Sequence, residues 1–211
     1  MSLIFQSHVL GPLQNNTYIL ADETSRDAVI IDPAIGSQSL IDDLCNNNLN
    51  LTQIWITHAH FDHAAGLSHI RKRIGKPIRA SMHPLDIPLW KSGGGSLELG
   101  FELNLGPLPE IHLAHHQVLK LGNGFIQVLH TPGHSPGHVI FYCAELSAAF
   151  VGDLIFHHGI GRSDFMGGNQ ETLLTSIREQ VLVLPLKTRL FSGHGIDTSV
   201  VEEIKHNPYL L

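Results

Sequence analysis

Short apolar runs with a two-residue beat alternate along the chain with segments whose apolar residues recur every three or four positions. Leu3 to Val9, Asn16 to Ala21 and Ala28 to Ile31 read as strands, the last two joined as a hairpin by the polar turn Asp22 to Asp27. Asp32-Pro33 ends the third run. A helix is expected from about Ser37 to Asn47, capped by Ser37 or Ser39, with Leu40, Ile41 and Leu44 apolar and Asn46-Asn47-Asn48 ending it. Leu51 to Ile56 is the next strand, followed by a helix of about four turns with Phe61, Leu67, Ile70 and Ile74 on one face and Gly75 closing it. A short strand, Pro77 to Ser81, completes a strand-helix-strand-helix-strand order, which predicts a mixed sheet covered by helices on one side.

The periodicity is lost after Pro84, where Ser92-Gly93-Gly94-Gly95-Ser96 sits in an irregular stretch; residues 84–110 are expected to form a short helix and a mobile flap over a pocket, or else an inert surface insertion. Strand-like runs resume at Ile111 to Ala114, Gln117 to Leu121, Gly124 to His130, Val139 to Cys143, Ala148 to Val151 and Arg189 to Phe191, with a last helix at Ser199 to His206. The second half thus repeats the first half's plan. With no internal sequence repeat, the expectation is a single domain over 1–211, two sheets packed face to face between helices.

Composition narrows the function. A 43% hydrophobic, 15% charged chain of 211 residues can bury a full core, and no apolar run approaches a membrane span. Residues 1–11 carry no secretory pattern, which points to the cytoplasm, and Cys45 and Cys143 fit neither a disulfide framework nor a paired-cysteine metal motif. Both thiols are expected to be reduced and buried. The net charge of -6, with only Arg71-Lys72-Arg73 as a basic block on a solvated helix face, excludes a nucleic-acid footprint. The outlying number is 16 histidines against 13 lysines and arginines. His8, His69, His83, His112, His130 and His206 stand apart in the sequence, and the remainder concentrate in turns.

The densest turn is Thr57-His58-Ala59-His60-Phe61-Asp62-His63. If the preceding run is a strand, His58 and His60 leave it on one side, and Asp62 and His63 open the next helix, so four candidate metal ligands point into one small volume. The loop Thr131-Pro132-Gly133-His134-Ser135-Pro136-Gly137-His138, Gly152-Asp153 and Ser192-Gly193-His194-Gly195 each follow a strand as well. Apolar strand, small residue, ligand is the recurring scheme, and it sets the candidates along one edge of the sheets.

These motifs, with VGDLIF at 151–156, resemble the metallo-β-lactamase fold across essentially the whole chain, and Gly159 to Phe165 and Asn207-Pro208-Tyr209 are similar to glyoxalase II-like hydrolases. The resemblance implies an αββα four-layer sandwich of two mixed sheets. It also implies one metal on His58, His60 and His134, a second on Asp62, His63 and His194, and Asp153 bridging them. A nitrogen-and-oxygen site without thiolate suits two divalent ions, zinc first, with iron or manganese acceptable. The implied activity is hydrolysis of a small acyl-thiol of the S-lactoylglutathione type by a hydroxide shared between the ions, with Asp62 also holding its proton. Arg162 is the implied substrate contact, pairing with a carboxylate of the thiol, or else with nearby Asp164. His138 and Asp32 are expected behind the ligands rather than among them. The alternatives are a mononuclear iron persulfide dioxygenase, a lactone or phosphodiester hydrolase of the same fold, and a binding protein without catalysis.

Overall fold

The computed structural model describes residues 3–75, 77–100, 102–165 and 167–211; Met1, Ser2, Lys76, Phe101 and Met166 lie outside it, so the readings of 1–11 and of 84–110 are followed without those positions. The first sheet runs β1 (Leu3–Leu10), β2 (Asn15–Asp22), β3 (Asp27–Ile31), β4 (Asn50–Trp55), β5 (Arg79–Met82) and β6 (Ile111–His112) in spatial order. Its first two pairings are antiparallel and the other three parallel. The second sheet is built from β7 (Val118–Leu121), β8 (Gly124–His130), β9 (Val139–Cys143) and β10 (Ala148–Gly152) and, beyond a small hairpin of β11 (Ile155–Phe156) and β12 (Gly159–Ile160), β13 (Arg189–Ser192) and β14 (Thr198–Ser199). Its order is β14-β13-β10-β9-β8-β7, with β10 and β13 parallel and the other pairs antiparallel, so both sheets are mixed.

Alternation along the strands divides the apolar residues among three cores. Ile19, Ala28, Ile30 and Ile54 face helices α1 (Leu40–Asn46) and α3 (Gly66–Ile74), while Tyr18, Leu20, Val29, Ile31 and Trp55, on the other face of the same strands, meet Val128, Phe141 and Phe150 of the second sheet. On β9 and β10 the partners of those inward residues, Ile140, Ala149 and Val151, turn outward under α5 (Gln170–Ser176), the π-helical turn Ile177–Val181 that continues it, and α6 (Val200–His206). The layers are helix, sheet, sheet, helix, as the αββα expectation has it.

Two local differences from the sequence reading have physical causes. The helix expected from Phe61 to Gly75 is broken into α2 (Phe61–Ala64) and α3, because the Gly66 N–H donates to Pro33 O at 2.8 Å instead of continuing the helical ladder. Cys143 is buried, but Cys45 is exposed; at 100° per residue it falls roughly 90° away from the Leu40, Ile41 and Leu44 face. The 84–110 stretch contains α4 (Ile87–Lys91); Leu89, Trp90 and Leu105 enter the first core, and the Trp90 indole donates to Gly106 O at 3.0 Å. Among the described residues no helix is long and apolar enough to cross a membrane.

Candidate metal centre

All the sequence-named ligands converge where β4, β8, β10 and β13 end. Asp32, in a left-handed turn at the end of β3, fixes the departure of the first motif: its carboxylate accepts the Thr57 N–H at 2.7 Å, the Thr57 hydroxyl at 2.6 Å and His63 Nδ1–H at 3.0 Å. His58 Nε2 and His60 Nδ1 then approach His134 Nε2 to 3.2 and 2.8 Å. On the other side Asp62 Oδ2 lies 3.6 Å from His63 Nε2 and 3.2 Å from His194 Nε2. Asp153 stands between the groups, with Oδ1 at 3.3 Å from His63 Nε2 and Oδ2 at 3.8 Å from His134 Nε2 and 3.7 Å from His194 Nε2.

The partners of the outward nitrogens show which ring atom each histidine turns toward the centre. His134 Nδ1 faces Arg162 O at 2.7 Å and His194 Nδ1 faces Leu13 O at 3.1 Å; a carbonyl only accepts, so both Nδ1 atoms carry hydrogen, and each Nε2 offers a lone pair to the centre whenever its ring is neutral. The same holds for His63 against the Asp32 carboxylate. His58 Nδ1 donates to Thr57 Oγ1 at 2.9 Å, since that hydroxyl spends its own hydrogen on Asp32. His63 Nε2 and Asp153 Oδ1 are buried without a hydrogen-bond partner. An orphaned donor set of this composition fits divalent metal ions, and the triads His58-His60-His134 and Asp62-His63-His194 are each compact enough to hold one.

Burial and neighbours set the charges. Burial holds His58 and His134 below the ordinary histidine range and brings His60 to about 3, with His134 adding to the effect. For His63 and His194 burial pulls the same way but the carboxylates win: Asp153 and Asp62 raise His63, and the hydrogen bond of His194 to Asp62, helped by the charge of Asp153, raises His194. Burial would push Asp62 up, yet His63 and His194 bring it down to about 2; His63 likewise holds Asp153 well below the carboxylate range.

Two contributors escape the sequence reading. Asn15 Nδ2 donates to Asp62 Oδ2 at 2.8 Å and lies 3.3 Å from His194 Nε2. Asp86, fully buried in the 84–110 stretch, accepts the Ala59 N–H at 2.9 Å, the Ser135 hydroxyl at 2.7 Å and the Gly137 N–H at 2.6 Å, tying the two histidine loops together. Gly94 completes that contact: at φ +64° it lies so close to the first motif that a Cβ would meet Phe61 N at 2.5 Å. His138 is buried behind His58, its Nδ1 hydrogen-bonded to Thr131 Oγ1. His83 and His130, isolated in sequence, stack at 4.1 Å, and His206 comes within 5.8 Å of His158. Arg162 sits at the rim with its guanidinium on Asp164, at 2.9 and 3.0 Å, and over the Phe165 ring at 4.0 Å.

The ligands floor a cavity of about 720 Å³. A family model described as the metallo-beta-lactamase superfamily matches residues 10–194. The chain belongs to the metallo-β-lactamase superfamily. Among its relatives are a probable metallo-hydrolase, YqgX, of Bacillus subtilis, 37% identical over 95% of this chain and 94% of that one, and the hydroxyacylglutathione hydrolase GloC of Haemophilus influenzae, 35% identical over 93% and 92%. In structure it is similar to BLEG-1 B3 metallo-beta-lactamase, with a TM-score of 0.91 and 35% identity over 98% of this chain and 99% of that one. It is also similar to TTHA1623 in a di-iron-bound form, with a TM-score of 0.86 and 35% identity over 97% and 100%. The superfamily membership and the His/Asp clusters together make this a metal-dependent hydrolase centre for divalent ions.

Proposed function

We propose that the protein is a binuclear acyl-thiol hydrolase of the glyoxalase II kind, with zinc as its metal. The observation that carries the reading is Asp153, one carboxylate placed between two complete ligand triads at the floor of a cavity. His58, His60 and His134 would hold one ion, Asp62, His63 and His194 the other, and Asp153 both. The ions would supply Lewis acidity toward the thioester carbonyl and a water acidified toward neutral pH.

The chain's own groups do the rest. Asp62, ionised far below neutral pH, lines the cavity beside its triad and is placed to hold the proton of the attacking water. Asn15 keeps that carboxylate turned toward His194. Arg162 orients His134 through its carbonyl; its guanidinium reaches a substrate carboxylate only by giving up Asp164. The similarity to GloC supports thioester chemistry, and a small acyl-thiol fits a cavity of this size.

The test is hydrolysis of S-lactoylglutathione under anaerobic conditions, with metal analysis of the same sample. Cleavage that tracks close to two zinc ions per chain is the expected result. Oxygen uptake with glutathione persulfide that tracks iron, without thioester cleavage, would overturn the hydrolase assignment; cleavage of a lactone or phosphodiester instead would keep the centre and change the substrate.

A further inference from the structure

Three large apolar side chains on the protein's surface, Leu13, Leu99 and Ile196, are 44%, 55% and 67% exposed and all stand around the same cavity. Below them Phe156, Ile160 and Phe165 continue the apolar wall down to the ligands. These residues come from segments far apart in sequence, and single exposed hydrophobics need no explanation where a ring of them around one opening does. Among the described residues Arg162 is the one lysine or arginine on the wall, and Asp164 takes its guanidinium in a two-bond pair while Phe165 covers one of its faces. The other titratable groups there are Asp62, Asp153, His60, His134 and His194 of the metal centre, and the exposed His157.

We propose that the acyl group selected by this site is an unbranched apolar chain, lying along Phe156, Ile160 and Phe165 and leaving between Leu99 and Ile196. The proposal rests on the acyl-thiol reading and names which acyl-thiols that reading concerns. A small hydroxyacyl group such as lactoyl can reach the centre but leaves the apolar wall wet, and the one guanidinium that a multiply anionic thiol meets among the described residues is already paired with Asp164. A chain of several methylenes dries the wall at each step. Hydrolysis itself is unchanged: water adds to the acyl carbon, the carbon–sulfur bond breaks, and the thiol leaves with a proton.

The experiment uses the protein as purified and the S-acyl derivatives of N-acetylcysteamine, a neutral thiol, from acetyl to octanoyl. The kcat/KM is expected to rise about two- to fourfold per added methylene, the upper value being that of a fully buried one. A binding measurement is run in parallel with S-octyl-N-acetylcysteamine, a thioether that cannot be hydrolysed. It should bind at least tenfold tighter than the S-methyl compound, and Ile196→Asp and Leu99→Asp should each reduce that ratio. Thioester cleavage with a flat or falling chain-length series overturns the proposal and leaves the hydrolase reading standing. Tight octyl binding without cleavage of any thioester upholds the apolar-chain site and overturns the hydrolase reading. Equal binding of octyl and methyl thioethers overturns the proposal whatever is cleaved.

Discussion

His58, His60 and His134 stand on loops whose backbone is stitched together from behind by one buried carboxylate, Asp86, whereas Asp62, His63 and His194 are gripped at the side chains themselves by Asn15 and Asp32. The electrostatics follow the same division. The first triad is three buried imidazoles whose pKa values are pulled down; the second contains a carboxylate, and its two imidazoles are pulled up. A cation therefore competes with protons less in the first half than in the second. The division is one of emphasis in the buried acid used: Asp86 binds only backbone N–H groups and a hydroxyl beside the first triad, whereas Asp32 reaches the His63 ring of the second as well as the Thr57 backbone.

The comparison breaks most completely at Asp153, which touches both halves. Asp153→Ala should lose at least one ion and lower kcat/KM by more than about 100-fold, beyond the loss usual for a residue that only supports a ligand. Full activity with one tightly bound ion in that variant would sink the binuclear reading. The next pair separates the halves. Asp86→Asn turns an amide donor toward groups that need acceptors, at a cost of about 1–3 kcal/mol, so the melting temperature should fall by on the order of 5 °C and the first ion should bind more weakly. Asn15→Ala should weaken the second ion by roughly 10-fold or more and leave the first in place. Competition titrations with a chromogenic chelator resolve the two ions; if both variants weaken both sites alike, the two halves are not held independently.

A smaller effect concerns protons. Because His63 and His194 are raised and His58, His60 and His134 lowered, the second ion should release more protons on binding than the first. Calorimetry in buffers of different ionisation enthalpy counts them. On lowering the pH the second site should weaken first; equal proton counts for the two ions would contradict the charge difference.

Much of this was legible in the sequence because the fold buries so many strands on both faces. On β3, Ala28 and Ile30 serve one core and Val29 and Ile31 another, so the strand appears as an unbroken apolar run, and the residue that ends such a run is a candidate ligand. The motif histidines and aspartates were readable for that reason. Asn15 and Asp86 were not: their bonds to the centre span 47, 179, 27 and 51 residues, and no local period marks a polar residue whose partner is that distant. α5 goes unassigned from sequence although its signal is there, in capping Asn169 and in Leu173, Ile177 and Val181 at four-residue spacing. The break between α2 and α3 depends on Pro33, a residue of another loop, and so lies beyond any reading of the helix alone.

The smallest expected effect is on the stability of the metal-stripped protein, where the two halves pull in opposite directions. His58, His60 and His134 are neutral in the fold below the pH at which they protonate when unfolded, so the unfolded chain takes up more protons and stability falls as the pH drops from about 6.5. Their contribution is exhausted only near the folded values, about 3 for His60, and the depressed carboxyls Asp62 and Asp153 add to the same acid-side loss. His63 and His194 act with the other sign. The fold holds their protons more tightly than the unfolded chain does, so their contribution is complete below about 6.5 and is lost as the pH rises toward their folded values. The urea midpoint of the stripped protein should therefore peak near neutral pH and fall on both sides, and His194→Gln should reduce the alkaline fall, with a smaller change on the acid side through Asp62 and Asp153. Restoring metal should also remove the alkaline fall, because the ions displace the protons responsible for it. A midpoint that keeps climbing above pH 7 in the stripped protein would show that the second half carries no raised histidines.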